Sequence, residues 1–230
     1  MRRVPALSLA AVALLALAGC GGGGPGERPR RNEGGVEITG IDGRVMIIRP
    51  GRDPNTAYTE GVDFKTQGNC PAAVVKLKPV AGIGPGYENA QTALGACLLD
   101  IGAKANPPAP DYDEGLTWLK RAADAGWPEA QAALAQAYTF GPPTVRNGEE
   151  AGYWLALYQT NPTKARVGYT AMAAADVASI EKALSAEDRA RGAKRAVSWE
   201  RKVWIPPAPP EGERTGPENG PSRGGRRMRR

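Results

Sequence analysis

The sequence predicts a mainly α-helical fold: a short αα-hairpin solenoid, preceded by a small β-hairpin and irregular segment, with disordered ends. Apolar residues recur with helical spacing from residue 87 to residue 204, as in amphipathic helices. Short patterns in this stretch recur after 36 to 40 residues, an interval typical of stacked helical pairs. Segments rich in glycine and proline flank the helical part, and they have little to bury.

The amino terminus has the features of a secretory signal. Two arginines precede an apolar run from Ala6 to Ala18, which is too short to span a bilayer. The run ends in Leu17-Ala18-Gly19-Cys20, which resembles the lipobox of bacterial lipoprotein signals. The resemblance implies removal of residues 1–19 and a lipid such as palmitate on Cys20. An ordinary signal peptide with a chance cysteine is the alternative.

The same resemblance predicts a location. A glycine, not an aspartate, follows Cys20. By the sorting rules of enterobacterial lipoproteins, this favours the outer membrane, with the protein facing the periplasm. We therefore expect a bacterial cell-envelope protein attached to the membrane through its N-terminal lipid.

Residues 20–35 and 36–86 are expected to differ in character. Residues 21–35 read GGGGPGERPRRNEGG, a flexible linker after the lipidated cysteine. Residues 36–49 read VEITGIDGRVMIIR, where Asp42-Gly43 between two β-rich runs predicts a tight hairpin. Residues 50–86 are rich in glycine and proline, so we expect mostly irregular structure with a short strand at Ala73–Leu77.

Two cysteines remain if Cys20 carries a lipid. Cys70 and Cys97 can form a disulfide in an oxidising compartment or stay as buried thiols, and the first is favoured. A bridge would close a loop of 26 intervening residues and contribute roughly 3 kcal/mol.

The repeated patterns lie in the helical part. Ala90-Gln91-x-x-Leu94 is echoed at Ala130-Gln131-x-x-Leu134, and Gly115-x-x-Trp118-Leu119 at Ala151-x-x-Trp154-Leu155. Gly126 is placed to end one helix, and Pro128 suits the first turn of the next. A generic alanine-rich helical hairpin is the alternative to a repeat array.

Residues 87–158 resemble Sel1-like repeats, relatives of the tetratricopeptide family. The resemblance is carried by DYDEGLTWLKRAADAG, WPEAQAALAQAYTFG and NGEEAGYWLAL. The matching positions are Trp118, Ala122, Ala123, Gly126, Ala130, Gln131, Leu134, Tyr138, Gly141, Ala151 and Trp154. The chain departs from the family at Ala135, where glycine is usual, and in the extended connection IGAKANPPAPDYD. The resemblance implies an α-solenoid that binds other proteins.

The repeat pattern is weaker after Tyr158. One helix is expected within residues 163–183, and Ser185 predicts the start of a capping helix with Ala186, Ala190, Ala193 and Val197 on one face. The tail is rich in proline, glycine and arginine and is expected to be disordered. The predicted division is signal peptide 1–19, lipidated cysteine and linker 20–35, hairpin and irregular region 36–86, repeat domain with capping helix 87–204, and tail 205–230.

Composition narrows the classes of function. The chain has no histidine, which removes Ser-His-Asp and Cys-His nucleophiles and imidazole metal sites. We expect no catalytic residues, no cofactor and no metal. The net charge of +6 comes mostly from the two ends, so no basic face for nucleic acid is predicted.

The favoured function is a non-catalytic scaffold or adaptor for unknown envelope proteins. The surface implied by the resemblance lies on the first helix of each pair and includes Thr117, Lys120, Arg121, Asp124 and Tyr153, all of which could also be plain solvent-facing residues. The alternative is an enzyme or binder acting on peptidoglycan or β-lactam-like ligands. The arginines of residues 223–230 could contact anionic lipid or cell wall, or simply aid solubility.

Overall fold

The computed structural model describes residues 36–39, 45–48, 53–105, 110–166 and 168–208. The predicted signal peptide, Cys20, the linker, the Asp42-Gly43 turn and the tail from residue 209 lie outside these residues. The described part is mainly helical, as predicted. Its α-helices are α1 (Pro54–Thr66), α2 (Cys70–Ala81), α3 (Glu88–Ala103), α4 (Pro110–Asp124), α5 (Pro128–Phe140), α6 (Gly148–Thr160), α7 (Ala174–Ala183) and α8 (Ala186–Ala196).

The predicted β-hairpin is confirmed. Strands β1 (Val36–Thr39) and β2 (Val45–Ile48) pair antiparallel, with Val36 opposite Ile48. A two-stranded sheet is marginal alone and needs a packing partner. Ile38 provides one by packing against the buried Ala72 of α2, so the hairpin rests on the helical part.

The expectation of irregular structure across residues 50–86, with a strand at Ala73–Leu77, is wrong. Helices α1 and α2 occupy most of this segment. Asp53 caps α1 by accepting a hydrogen bond from the Thr56 amide at 2.7 Å, and Asn69 caps α2 by accepting one from the Ala72 amide at 3.2 Å. Pro54 and Pro71 stand in first turns, where a missing N–H costs little. These prolines therefore begin helices instead of breaking them.

The helices form successive pairs, in which α2, α4 and α6 are here called the A helices and α3 and α5 the B helices. Consecutive helices from α1 to α6 pack on one another. Leu77, Leu119 and Leu155 are buried on the A helices, and Leu94 and Leu134 on the B helices. The repeat array therefore begins at Cys70, well before residue 87, because α2 occupies the same place in the first pair as α4 does in the second.

Equivalent side-chain hydrogen bonds occur in the two successive helix pairs. The side-chain amide of Gln91 on α3 donates to the carbonyl of Ala81, the last residue of α2, at 3.3 Å. Gln131 on α5 donates to the carbonyl of Ala123 near the end of α4, also at 3.3 Å. Both glutamines are buried, and carbonyls at a helix end need such partners. The amide thus ties each B helix to the A helix before it.

Glycines set the closest helix contacts. A Cβ at Gly95 on α3 would stand 2.9 Å from the carbonyl oxygen of Gly115 on α4, and the reverse distance is also 2.9 Å. On the last pair, a Cβ at Gly152 of α6 would lie 2.8 Å from the Asp188 carbonyl oxygen of α8, and one at Gly192 would overlap the Tyr153 backbone nitrogen. Only residues without a side chain permit backbones to approach so closely.

The carboxyl-terminal helices differ from the prediction in detail. The single helix expected within residues 163–183 is a short 3₁₀ turn (Pro162–Ala165) followed by α7. Helix α8 begins as predicted, with Ser185 accepting from the Asp188 amide at 3.0 Å. Its expected apolar face is exposed, with Val197 at 89%. The face bearing Gly192 packs on α6 instead, because a residue without a side chain lets the two backbones approach closely there.

Candidate binding surfaces

The repeat positions predicted from the sequence lie mostly in the interior. Fully or almost fully buried are Trp118, Ala122, Ala123, Ala130, Leu134, Ala151 and Trp154. Tyr138 is partly buried and packs against the core cluster that contains Leu134 and Trp154. Gly126 has a φ of +87°, and the amide of Trp127 donates to the carbonyl of Ala122 at 3.0 Å. These contacts form the left-handed helix end for which glycine is suited.

The five residues proposed for the binding surface do not form one open surface. Thr117 and Lys120 are exposed on α4. Arg121, Asp124 and Tyr153 are only partly exposed, because segments that follow α8 or belong to it contact them. The surface of the A helices is therefore occupied, in large part, by the chain itself.

Residues 197–208, here called the strap, run back along the A helices after α8. The Lys202 amide donates to the carbonyl oxygen of Asp124 at the end of α4, at 2.8 Å. Trp199 lies beside Gly126, where a Cβ would be 3.4 Å from the indole. Pro206 lies against Gly84, where a Cβ would be 2.7 Å from the Pro206 Cδ atom. The strap thus passes from α8 across the ends of α4 and α2.

The indole of Trp204 occupies the centre of this contact. Its ring stands edge-on to that of Trp118, with centroids 5.6 Å apart. The Arg121 guanidinium lies 4.1 Å from the Trp204 centroid and 4.3 Å from the Trp118 centroid. Such edge-on and cation–π contacts each contribute about 0.5–1.5 kcal/mol. Trp118 is fixed in turn by donating its indole N–H to Glu114 at 3.0 Å.

Two acidic groups near this surface have shifted pKa values. A hydrogen bond from Lys78 of α2, at 2.7 Å, together with one from Trp118, holds the pKa of Glu114 below its usual value. Burial raises the pKa of Asp124, and nearby Lys120 and Lys202 offset only part of this effect. Glu114 therefore contributes a fixed charge between α2 and α4, while the Asp124 charge is partly desolvated.

Tyr153 takes part in the contact between α6 and α8. The Arg195 guanidinium lies 3.8 Å from the Tyr153 ring centroid, and it also pairs with Glu150 at 2.8 Å. The Arg195 pKa is raised, chiefly by its hydrogen bond to Glu150. Arg195 of α8 is thus used within the chain, and Tyr153 has a structural contact here.

An open groove lies on the other side of the array, along the B helices. It has a volume of about 700 Å³ and is lined mainly by α3, α5 and the loop after α5. Its apolar walls include Leu99, Ala133, Ala137, Phe140 and Pro142, and Arg146 is the charged residue of its described lining. Phe140 is 52% exposed. The groove thus leaves one aromatic ring, in apolar surroundings, half open to solvent.

Cys70 and Cys97 lie together between α2 and α3. Both are buried and occur as free thiols. The neighbouring Cys70 thiol, together with burial, raises the pKa of Cys97, whereas the neighbouring Cys97 thiol lowers the pKa of Cys70. The disulfide between them stays a prediction.

The described residues contain no group of three or more cysteine, aspartate or glutamate side chains that could hold a metal ion. None of their helices combines the length and apolar character needed to cross a membrane. No protein-family model, curated protein or solved structure matches the chain.

Neither surface was predicted from the sequence. The strap has a visible signal, two tryptophans five residues apart in a short segment between α8 and the tail. The B-helix groove has a weaker one, because Leu99 and Phe140 are 41 residues apart and meet only when α3 and α5 are placed side by side.

Proposed function

We propose that this chain is a non-catalytic scaffold of the bacterial cell envelope, anchored by a lipid on Cys20, which binds an apolar segment of a partner protein in the B-helix groove. The observation that carries the proposal is the groove itself, with Phe140 half exposed in apolar walls. The resemblance to Sel1-like repeats supports the same class of function, since such solenoids bind proteins through surfaces built from successive helices.

The groove suits a short partner segment. Its lining consists mainly of small and apolar side chains, including three alanines on α3 and the following residues (Ala96, Ala103 and Ala105). Small side chains leave room for the larger side chains of a ligand, which would bury apolar area at about 25 cal/mol per Å². Arg146 at one end would favour an acidic residue in the partner. We therefore propose an amphipathic segment with two or three apolar residues and one carboxylate.

Photocrosslinking in cells tests the groove. A crosslinking amino acid at Gln136, an exposed residue of the groove, should capture the same envelope protein in repeated experiments. The same probe at Lys120, which is exposed on α4, is the matched control and should not capture it. Phe140→Asp should abolish capture from Gln136 without loss of helicity. Equal capture from both positions would contradict the proposal.

The anchor needs its own test. Cys20→Ala should remove labelling by radioactive palmitate and move the protein from the membrane fraction to the soluble fraction. Palmitate labelling that persists in this variant would disprove the assignment of Cys20. Because Cys20 is not among the described residues that line the groove, a variant that lacks the lipid should still crosslink from Gln136, at a lower yield, as expected when the gain in effective concentration from anchoring is lost.

A further inference from the structure

The strap is bound to the A helices in the manner of a ligand. Its described contacts lie at separate points along an extended segment: Trp199 at Gly126, Lys202 at Asp124, Trp204 at Trp118, and Pro206 at Gly84. Contacts by alternate anchors plus a main-chain hydrogen bond are typical of extended peptides in protein grooves. The A-helix surface therefore has the form of a peptide-binding site with two aromatic anchors five residues apart.

The connection between α8 and the strap allows exchange. Helix α8 ends at Ala196, and Val197, which follows, is 89% exposed. Rotation of the backbone at Val197 and Ser198 would break the turn hydrogen bonds from the Ser198 and Trp199 amides to the Arg195 and Ala196 carbonyls, at 3.2 and 3.1 Å. It would move residues 199–208 as a unit and leave the contact of α8 with α6 in place. An exposed hinge before an independently bound segment is the arrangement that permits exchange of identical elements between two copies.

We propose that the strap of one copy of this chain binds the A-helix surface of a second copy, giving a strap-exchanged dimer. The contacts of Trp199 with Gly126, Lys202 with Asp124, Trp204 with Trp118 and Pro206 with Gly84 would be kept, since both copies carry the same A-helix surface and the same strap. The monomer and the dimer then differ mainly in the effective concentration of the strap. Attachment within one chain gives an effective concentration of about millimolar, so exchange grows with protein concentration or when the internal contact is weakened.

Two complementary variants of the full chain test the exchange. The first, Trp199→Ala/Trp204→Ala, has a defective strap and an intact A-helix surface. The second, Arg121→Glu, keeps the strap but removes the cation from between Trp118 and Trp204. Light scattering should show each variant alone as a monomer, and their equimolar mixture as a species of twice the molar mass. A mixture that stays monomeric while both variants keep wild-type helicity would overturn the proposal.

A peptide keeps the test decisive if the double variant loses helicity. A labelled peptide of residues 197–208 is added to the single variant Trp204→Ala and to the wild-type chain. The variant should bind it about a hundredfold more tightly, because no internal strap competes. The same peptide with alanine at both tryptophans is the control. Absence of binding would overturn the proposal. Binding of the peptide without dimers in any mixture would also overturn it, and would indicate that the A-helix surface binds a different protein.

Discussion

The side chains of Asn161 and Gln131 are hydrogen-bonded, with the Asn161 Nδ2 atom 2.9 Å from the Gln131 Oε1 atom. Asn161 follows α6 and Gln131 lies on α5, and the same Asn161 amide also donates to the Gly126 carbonyl at 2.9 Å. Gln131 uses its own amide on Ala123. The side chains of Gln131 and Asn161 together join the end of α4 and the turn after it, the B helix α5 and the end of α6.

Replacing Gln131 should therefore destabilise the array. Gln131→Met preserves much of the side-chain volume but leaves the Ala123 carbonyl and the Asn161 amide without this partner. We expect a loss of about 1–3 kcal/mol in the free energy of unfolding, the cost of unpaired buried polar groups. Urea denaturation followed by circular dichroism measures it. Gln136→Met, at an exposed position of the same helix, is the control, and an equal loss there would contradict the assignment.

Replacing a glycine by alanine where α6 crosses α8 should destabilise the fold, although the same replacement usually stabilises a helix. Alanine normally stabilises a helix by about 0.5–1 kcal/mol relative to glycine. At Gly192 its methyl group would overlap the Tyr153 backbone, and such overpacking typically costs about 1–3 kcal/mol. Gly192→Ala should thus lower the free energy of unfolding. Gly82→Ala, where a Cβ meets atoms at an ordinary 3.4 Å, should stay within about 0.5 kcal/mol of wild type.

The raised pKa of Asp124 predicts that the contribution of this residue to the free energy of unfolding depends on pH. Burial raises its pKa in the folded chain, so the folded state binds the proton more tightly than the unfolded state does. The Asp124 contribution to stability therefore falls as pH rises from the unfolded value, about 3.9, through the raised folded value. The position at the end of α4 adds an unfavourable interaction with the helix dipole of about 0.3–1 kcal/mol.

Asp124→Asn should accordingly raise the melting temperature at pH 7 and have little effect at about pH 3, where both states are protonated. Asp113→Asn is the matched control, because Asp113 lies in the first turn of the same helix. There the charge is favourable, and the substitution should lower the melting temperature slightly. A gain at pH 3 as large as at pH 7 would show that the Asp124 charge is not the cause.

The cysteine pair gives a chemical prediction. In protein recovered from an oxidising compartment, Cys70 and Cys97 should resist iodoacetamide under denaturing conditions and react only after reduction. Mass spectrometry of the alkylated chain distinguishes the two cases. The bridge should also raise the free energy of unfolding by about 3 kcal/mol relative to the reduced chain. Alkylation of both thiols without reductant would favour the alternative of two buried thiols, the state that the structure holds.

Local signals explain most of what could be predicted about the fold. The left-handed turn at Gly126, the proline at the start of α5 and the Ser185 cap of α8 depend on residues within a few positions, so they are readable from the sequence. The same signals were present at Asp53-Pro54 and Asn69-Cys70-Pro71. The prolines there were consistent with either a loop or a first helical turn, and only packing of α1 and α2 on α3 decides for the helix.

The candidate surfaces were less predictable, for the same reason. The array was predicted to present its A helices, and these are the helices that the strap contacts. Trp204 has no partner nearby in the sequence, so no periodicity assigns it to a surface formed by residues about 80 positions earlier. The open groove along α3 and α5 likewise depends on helices joined only through α4.

The sequence by itself determined the mainly helical class, the helix ends at Gly126 and Ser185, the repeated apolar positions and the absence of histidine chemistry, because each depends on composition or on neighbours in the chain. The tertiary structure decided where the repeat array begins, which face of α8 is buried, and which surface is covered. Those features depend on close backbone contacts such as Gly152 with Gly192 and on long-range contacts such as Trp118 with Trp204. These contacts stabilise the fold only when residues distant in the sequence come together, so no local sequence pattern predicts them.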